Sequence, residues 1–193
     1  SFRQLPFSIE TSGALNSGKT ILGHCLHLEP GEREMLKNSP AYVVQNTESN
    51  LNNNVGMFDH RGLEQGRILL GTDGMHSDML RSAKAAFLTG QATEGLGMDT
   101  VYSRFRKVHD YIRDNGFSGD GDNHLVILDY DSPTDIDAGN FLGHFVYGLD
   151  ARHVESVIAG GRLIVENRRL LTVAEDEILA YSREMGRQLW EKL

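Results

Sequence analysis

Arg67-Ile68-Leu69-Leu70-Gly71-Thr72-Asp73-Gly74 is the stretch from which the fold is read. Its centre is apolar on both faces, as in a strand covered from both sides within a parallel sheet. A carboxylate, Asp73, follows almost at once. At the C-terminal mouth of a buried parallel strand, an acid stands where barrel enzymes keep their catalytic groups. The competing role for such an Asp is a helix N-cap. Ser77 is the better-placed cap for the helical pattern from Ser77 to Leu88, so Asp73 is read as functional.

Working outward, two earlier runs have the same character: Thr20-Ile21-Leu22-Gly23-His24-Cys25 and Ala41-Tyr42-Val43-Val44. The pattern predicts a helix after each, over Glu32 to Lys37 and over Asp59 to Gln65. Strand and helix alternating at a spacing of roughly 25 residues mark parallel βα units. Three units cannot close a barrel, which needs eight strands. Towards the C-terminus, Asp99 to Asp114 reads as a helix. The texture changes at Gly116, where a Gly- and Asp-rich link leads to the strand Leu125 to Leu128. A hairpin follows, from Val154 to Ile158 through Gly160-Gly161 to Leu163-Ile164-Val165. A closing helix is expected from about Ala174 to Leu193, with Ile178, Tyr181, Met185 and Leu189 on one face. The expected division is 1–115 for the α/β part and 116–193 for the β unit with its helix.

The 193 residues carry a net charge of −8, which argues against a nucleic-acid footprint of clustered Lys and Arg. No apolar run has the length of a membrane span. The single cysteine, Cys25, cannot form an internal disulfide, so a cytoplasmic setting is the default. The chain opens Ser1-Phe2-Arg3 without a methionine, which fits a polypeptide whose beginning lies elsewhere.

Gly13-Ala14-Leu15-Asn16-Ser17-Gly18-Lys19-Thr20 matches the phosphate-binding P-loop pattern letter for letter, and a P-loop nucleotide-binding protein is an alternative reading. Such a loop needs a buried strand before it and a helix after it, with the helix N-terminus facing the phosphates. Phe7 to Thr11 alternates polar and apolar residues, and Ile21 to Leu28 stops at Pro30-Gly31. Both features favour a turn entering a strand.

His24, near the end of the first run, is either a buried strand histidine or a functional one. His76 lies beside the Asp73 loop and is either a substrate contact or a solvated turn residue. No HxH, CxxC or HExxH pattern is present, so the chain carries no complete metal site.

Several motifs in succession resemble one family. Lys19 to Leu28 is similar to strand six and the following loop of amidohydrolase-superfamily deaminases. Gly71-Thr72-Asp73-Gly74 is similar to their strand-eight motif. Asp129 to Thr134 and Asn140 to Gly148 resemble, more narrowly, the aminohydrolases associated with selenium metabolism, near the chlorohydrolases and the guanine and S-adenosylhomocysteine deaminases. The resemblance implies the C-terminal half of such an enzyme: the last part of a distorted (β/α)8 TIM barrel, the C-terminal part of a small β-sandwich and a terminal helix. It also implies a divalent metal, zinc first, with Asp73 as the ligand on this chain. The HxH after strand one and the His after strand five would lie outside it. Asp73 and His24 are the implied catalytic residues, and Asn50 and His76 the candidate substrate contacts. One departure stands out. Where relatives read His-Asn-Pro-x-Ser-Asn after strand seven, this chain reads Gln45-Asn46-Thr47-Glu48-Ser49-Asn50.

The expected activity is hydrolysis of a non-peptide carbon–nitrogen bond by an aminohydrolase of a heterocycle or related amine. The expected partners are a small-molecule substrate, the missing N-terminal half and further copies in a homo-oligomer, with neither nucleic acid nor membrane. A catalytically inactive half-barrel kept for assembly is the other alternative.

Overall fold

The computed structural model describes residues 12–93, 95–118 and 123–193, and the chain divides into two compact units. The first comprises residues 1–118 and 132–151, the second 119–131 and 152–193. The sequence motif Phe7 to Thr11 lies outside the described residues.

The first unit is built on a three-stranded parallel sheet of β1 (Ile21–Gly23), β2 (Tyr42–Gln45) and β3 (Ile68–Leu70), in sequential order. Ile21 faces Tyr42, and Val43 faces Ile68. All three residues of β3 are buried, as its unbroken apolar run requires. Helix α1 (Pro30–Lys37) follows β1, with Pro30 in its first turn and a capping box between Glu29 and Glu32. After β2 the helix is α2 (Thr47–Asn52). This corrects the helix expected over Asp59 to Gln65. Those residues form turns held by Leu63 N–H to the His60 carbonyl and by Asp59 accepting from the Arg61 amide.

Helices α3 (Met79–Thr93) and α4 (Met98–Asp114) follow β3. Leu96 packs so tightly on Gly90 that a Cβ there would lie 2.6 Å from its own Cβ. A segment from later in the chain, α5 (Phe141–Gly143) continuing as a π turn over His144–Gly148, completes this core. Its Phe145 and Val146 are buried with Leu70, Ala86, Phe87 and Val101.

The P-loop reading is not realised. Ala14–Asn16 forms a short 3-10 turn, and the Thr20 hydroxyl donates to the Ala14 carbonyl at 2.6 Å. A strand, not a helix, follows Lys19, so no helix N-terminus is offered to a phosphate. The Lys19 ammonium lies instead over the Phe117 ring, 5.5 Å from its centroid.

The second unit is an antiparallel sheet, β4 (Leu125–Leu128), β5 (Val154–Ala159), β6 (Arg162–Glu166) and β7 (Arg169–Leu170), in that order, and helix α6 (Glu175–Trp190). Gly160 and Gly161 both take left-handed φ (56° and 75°), the backbone that a two-residue hairpin turn demands. Much of this unit's apolar surface meets solvent: Val126 is 60% exposed, Tyr181 65% and Trp190 75%. Among the described residues no helix is long and apolar enough to cross a membrane.

Candidate functional site

Because β1, β2 and β3 run parallel, their C-terminal ends share one edge of the sheet, where ligands bind in parallel α/β architectures. His24 leaves β1 there, Ser49 and Asn50 sit on α2 just beyond β2, and Asp73 follows β3. The chain bends sharply at this edge. His24, Cys25 and Asp73 take left-handed φ of 68°, 50° and 53°. Such conformations cost non-glycine residues on the order of 1–3 kcal/mol each and gather at functional sites. Gly71 lets β3 end in close contact with its neighbour: a Cβ there would lie 2.6 Å from Val44 Cγ1 and closer still to Asn46 Oδ1.

The four side chains meet. His24 Nε2 is 3.5 Å from Asp73 Oδ2. The Ser49 hydroxyl donates to the same Asp73 oxygen at 2.6 Å, and the Gly74 amide donates to Asp73 Oδ1 at 2.8 Å. On the other side of the imidazole, His24 Nδ1 lies 2.7 Å from the Asn50 side-chain oxygen. Ser49 and Asn50 are buried, at 3% and 1% exposure, while His24 and Asp73 face outward. The hydrogen bond from Ser49, the Gly74 amide and the nearby His24 together hold the Asp73 carboxyl below the usual carboxylate range. Asp73 is thus an ionised oxygen donor with a nitrogen donor beside it. Burial pushes the Cys25 thiol up to about 11, which leaves it no nucleophilic role at neutral pH.

His76 stands next to this cluster with both ring nitrogens engaged. Nδ1 lies 3.0 Å from the Asp78 amide nitrogen, which has only a proton to give, so Nε2 carries the ring proton and donates to Glu48 at 2.6 Å. Arg81 donates to the other Glu48 oxygen at 2.8 Å. Burial raises the Glu48 pKa, but the hydrogen bonds from Arg81 and His76 outweigh it and the net shift is downward. Glu48 thereby ties the loop after β2 to the loop after β3. Sequence reasoning quoted Glu48 and Ser49 only as members of a divergent run. The signal that could have found Ser49 is its place, with Asn50, just past the end of the second strand.

Zinc takes three or four protein nitrogen, oxygen or sulfur ligands. Asp73 and His24 are donors of the right chemistry, but no group of three His, Cys, Asp or Glu among the described residues could hold an ion. The residues present fit part of such a site.

A parallel sheet carries an ionised Asp and a His at its C-terminal edge, and the chain is similar to curated deaminases over part of their length. The 5-methylthioadenosine/S-adenosylhomocysteine deaminase of Syntrophomonas wolfei is 28% identical, over 94% of this chain and 46% of its own length. The 5'-deoxyadenosine deaminase of Methanopyrus kandleri is 31% identical, over 88% of this chain and 42% of its own. The fold matches part of an adenosine deaminase from Xanthomonas campestris solved with bound zinc. The TM-score is 0.79 over 96% of this chain and 45% of that one, at 19% identity. No family model matches. The chain spans about half the length of the curated relatives it matches.

Proposed function

We propose that this chain carries the C-terminal part of a metal-dependent aminohydrolase that releases ammonia from a heterocyclic amine, with adenine nucleosides such as those in its relatives' names as the first substrates to try. The observation that carries the reading is the contact of Asp73, His24, Ser49 and Asn50 at the C-terminal edge of the parallel sheet. On this reading β1, β2 and β3 are strands six to eight of a distorted (β/α)8 barrel within residues 1–115. Residues from 116 on supply the end of a small β-sandwich and its closing helix, with 132–151 returning to pack on the first unit.

Asp73 would ligate a divalent ion, zinc first, with the remaining ligands outside this chain. Such an ion supplies a hydroxide nucleophile at neutral pH by lowering the pKa of water from about 15.7 toward 7. Asp73 Oδ2, ionised and exposed to the mouth, takes the proton from the attacking water. His24 Nε2, facing the same space, donates to the charge that develops at the tetrahedral centre, as a preorganised donor does. Ser49 orients Asp73. Asn50 and His76, the candidate substrate contacts, act through the protein groups they hold.

Among the described residues no further strand pairs with the edges of β1 and β3, and these edges with the apolar surface of the second unit support a covering partner. We assign that role to the missing N-terminal half of the enzyme, within a cytoplasmic homo-oligomer. The test is ammonia release from 5'-deoxyadenosine and S-adenosylhomocysteine by the complete protein, unmodified and as Asp73→Asn. Turnover of an aminated heterocycle that Asp73→Asn abolishes supports the reading. Turnover untouched by the substitution refutes it.

A further inference from the structure

We infer that Asn50 is a positioning residue that sets the tautomer of His24, holding the ring proton on Nε2. This rests on the reading of His24 as a donor at the mouth of the site.

As the contacts stand, the Asn50 side-chain oxygen lies 2.7 Å from His24 Nδ1, and Asn50 Nδ2 is buried without a hydrogen-bond partner among the described residues. The residue is 1% exposed, so solvent cannot satisfy that amide. An oxygen facing Nδ1 would require the ring proton on Nδ1. In a neutral ring that leaves the Nε2 lone pair facing Asp73 Oδ2 at 3.5 Å, acceptor against acceptor. Two mismatches would then stand side by side: an unpaired buried donor and a lone-pair clash. A carboxamide has the same shape at both ends, and turning it by 180° exchanges oxygen and nitrogen without moving any other atom. The turned amide donates Nδ2–H to Nδ1 and so fixes the proton on Nε2, which then points as a donor toward Asp73 Oδ2 and the open mouth. The buried atom left without a partner is then a carbonyl oxygen, an acceptor in place of the unpaired N–H donor. One rotation removes the lone-pair clash, replaces the unpaired buried donor by an unpaired acceptor, and gives His24 the proton at the nitrogen the chemistry needs.

Asn50 can hold this orientation because α2 anchors it. Its amide N–H donates to the Asn46 carbonyl at 3.0 Å, and its own carbonyl accepts from Val55 at 3.1 Å. Its neighbour Ser49 holds Asp73. One turn of helix therefore sets both partners of the pair.

The test is long-range proton–nitrogen NMR on the full chain with ring-labelled histidine at pH 8, the His24 signals being assigned by their loss in His24→Gln. The expected result is a pyridine-type nitrogen at Nδ1 and a pyrrole-type nitrogen at Nε2. Asn50→Leu, similar in size but unable to donate, should convert His24 to a mixture of tautomers. Asn50→Asp, which can only accept, should move the proton to Nδ1. If Asn50→Asp fails to fold, the unmodified chain and Asn50→Leu decide. A pyrrole-type Nδ1 in the unmodified chain, or an Asn50→Leu chain that keeps the Nε2–H form undiluted, overturns the inference. The NMR result is independent of turnover, so an inactive complete protein with the expected tautomer would sink the proposed function and leave this inference standing.

Discussion

Gly71→Ala should destabilise the first unit, and the size of the effect follows from the space around it. Gly71 is not in the left-handed region, so the backbone imposes no penalty of its own. An added Cβ would lie 2.6 Å from Val44 Cγ1 and would also overlap Asn46 Oδ1. Asn46 is 7% exposed, and the Gly71 amide and carbonyl are held by the Gln45 carbonyl at 3.0 Å and the Ser82 hydroxyl at 2.7 Å. Neither side can move freely. Overpacking of this kind costs about 1–3 kcal/mol. The reduced freedom of the unfolded chain on Gly→Ala returns about 0.4–1 kcal/mol. The net is roughly 1–2 kcal/mol, or a Tm lower by about 2–8 °C for a chain of this size. Gly74→Ala, three residues on, is the control. It has no atom within 4 Å of the added Cβ and should raise Tm by about 1–4 °C, the unfolded-state gain alone. Thermal unfolding followed by circular dichroism reads both. Equal Tm shifts for the two variants, or no shift at Gly71, would refute the close-approach argument.

The remaining predictions concern charge and metal. In the complete protein, Asp73→Asn should reduce kcat by several orders of magnitude and weaken metal binding, whereas His24→Asn should retain metal and cost on the order of 10²–10³ in kcat; steady-state kinetics with metal analysis separates them. The chain by itself should hold zinc only weakly, because its described residues bring together no group of three ligands; stoichiometric zinc after dialysis would contradict the half-site. Hydrogen bonding from Arg61, opposed by burial and aided by Arg33, brings the Asp59 pKa down to about 2 from 3.8. Its stabilisation is therefore complete above about pH 4 and lost as pH falls toward 2. Solvent screening reduces it to on the order of 1 kcal/mol, and Asp59→Asn should flatten denaturant midpoints over that window.

The strands were legible because burial on both faces leaves a local mark, and with them the edge at which Asp73 and His24 meet. Ile68-Leu69-Leu70 could scarcely be anything but a covered strand, and an acid at its end had few other purposes. Helix α2 left no such mark. Thr47 to Asn52 is polar except for the exposed Leu51, and its buried Ser49 and Asn50 find partners in Asp73 and His24, residues 24 and 26 positions away in sequence. The engagement of His76 by Glu48 was hidden for the same reason, being a contact across 28 positions. The P-loop lookalike is the opposite case, a motif whose letters point to a site that its flanking residues already spoke against. Its letters fit, but the residues after Lys19 had already committed to a strand.

The return of residues 132–151 to the first unit makes both units discontinuous in the chain. Phe145 lies against Tyr102 and Phe105, at ring-centroid distances of 5.1 and 5.0 Å. A chain stopped at residue 118 would lose that plug, and emptying a phenylalanine site alone costs about 3–5 kcal/mol. The same feature governs recombination. Grafting the second unit from a relative by a single crossover would import a foreign 132–151 segment into the first unit's core, where it would have to fill a cavity shaped for another sequence. A chimera that keeps both units whole therefore needs three crossovers, after residues 118, 131 and 151, so that the plug stays with the core it evolved to fill.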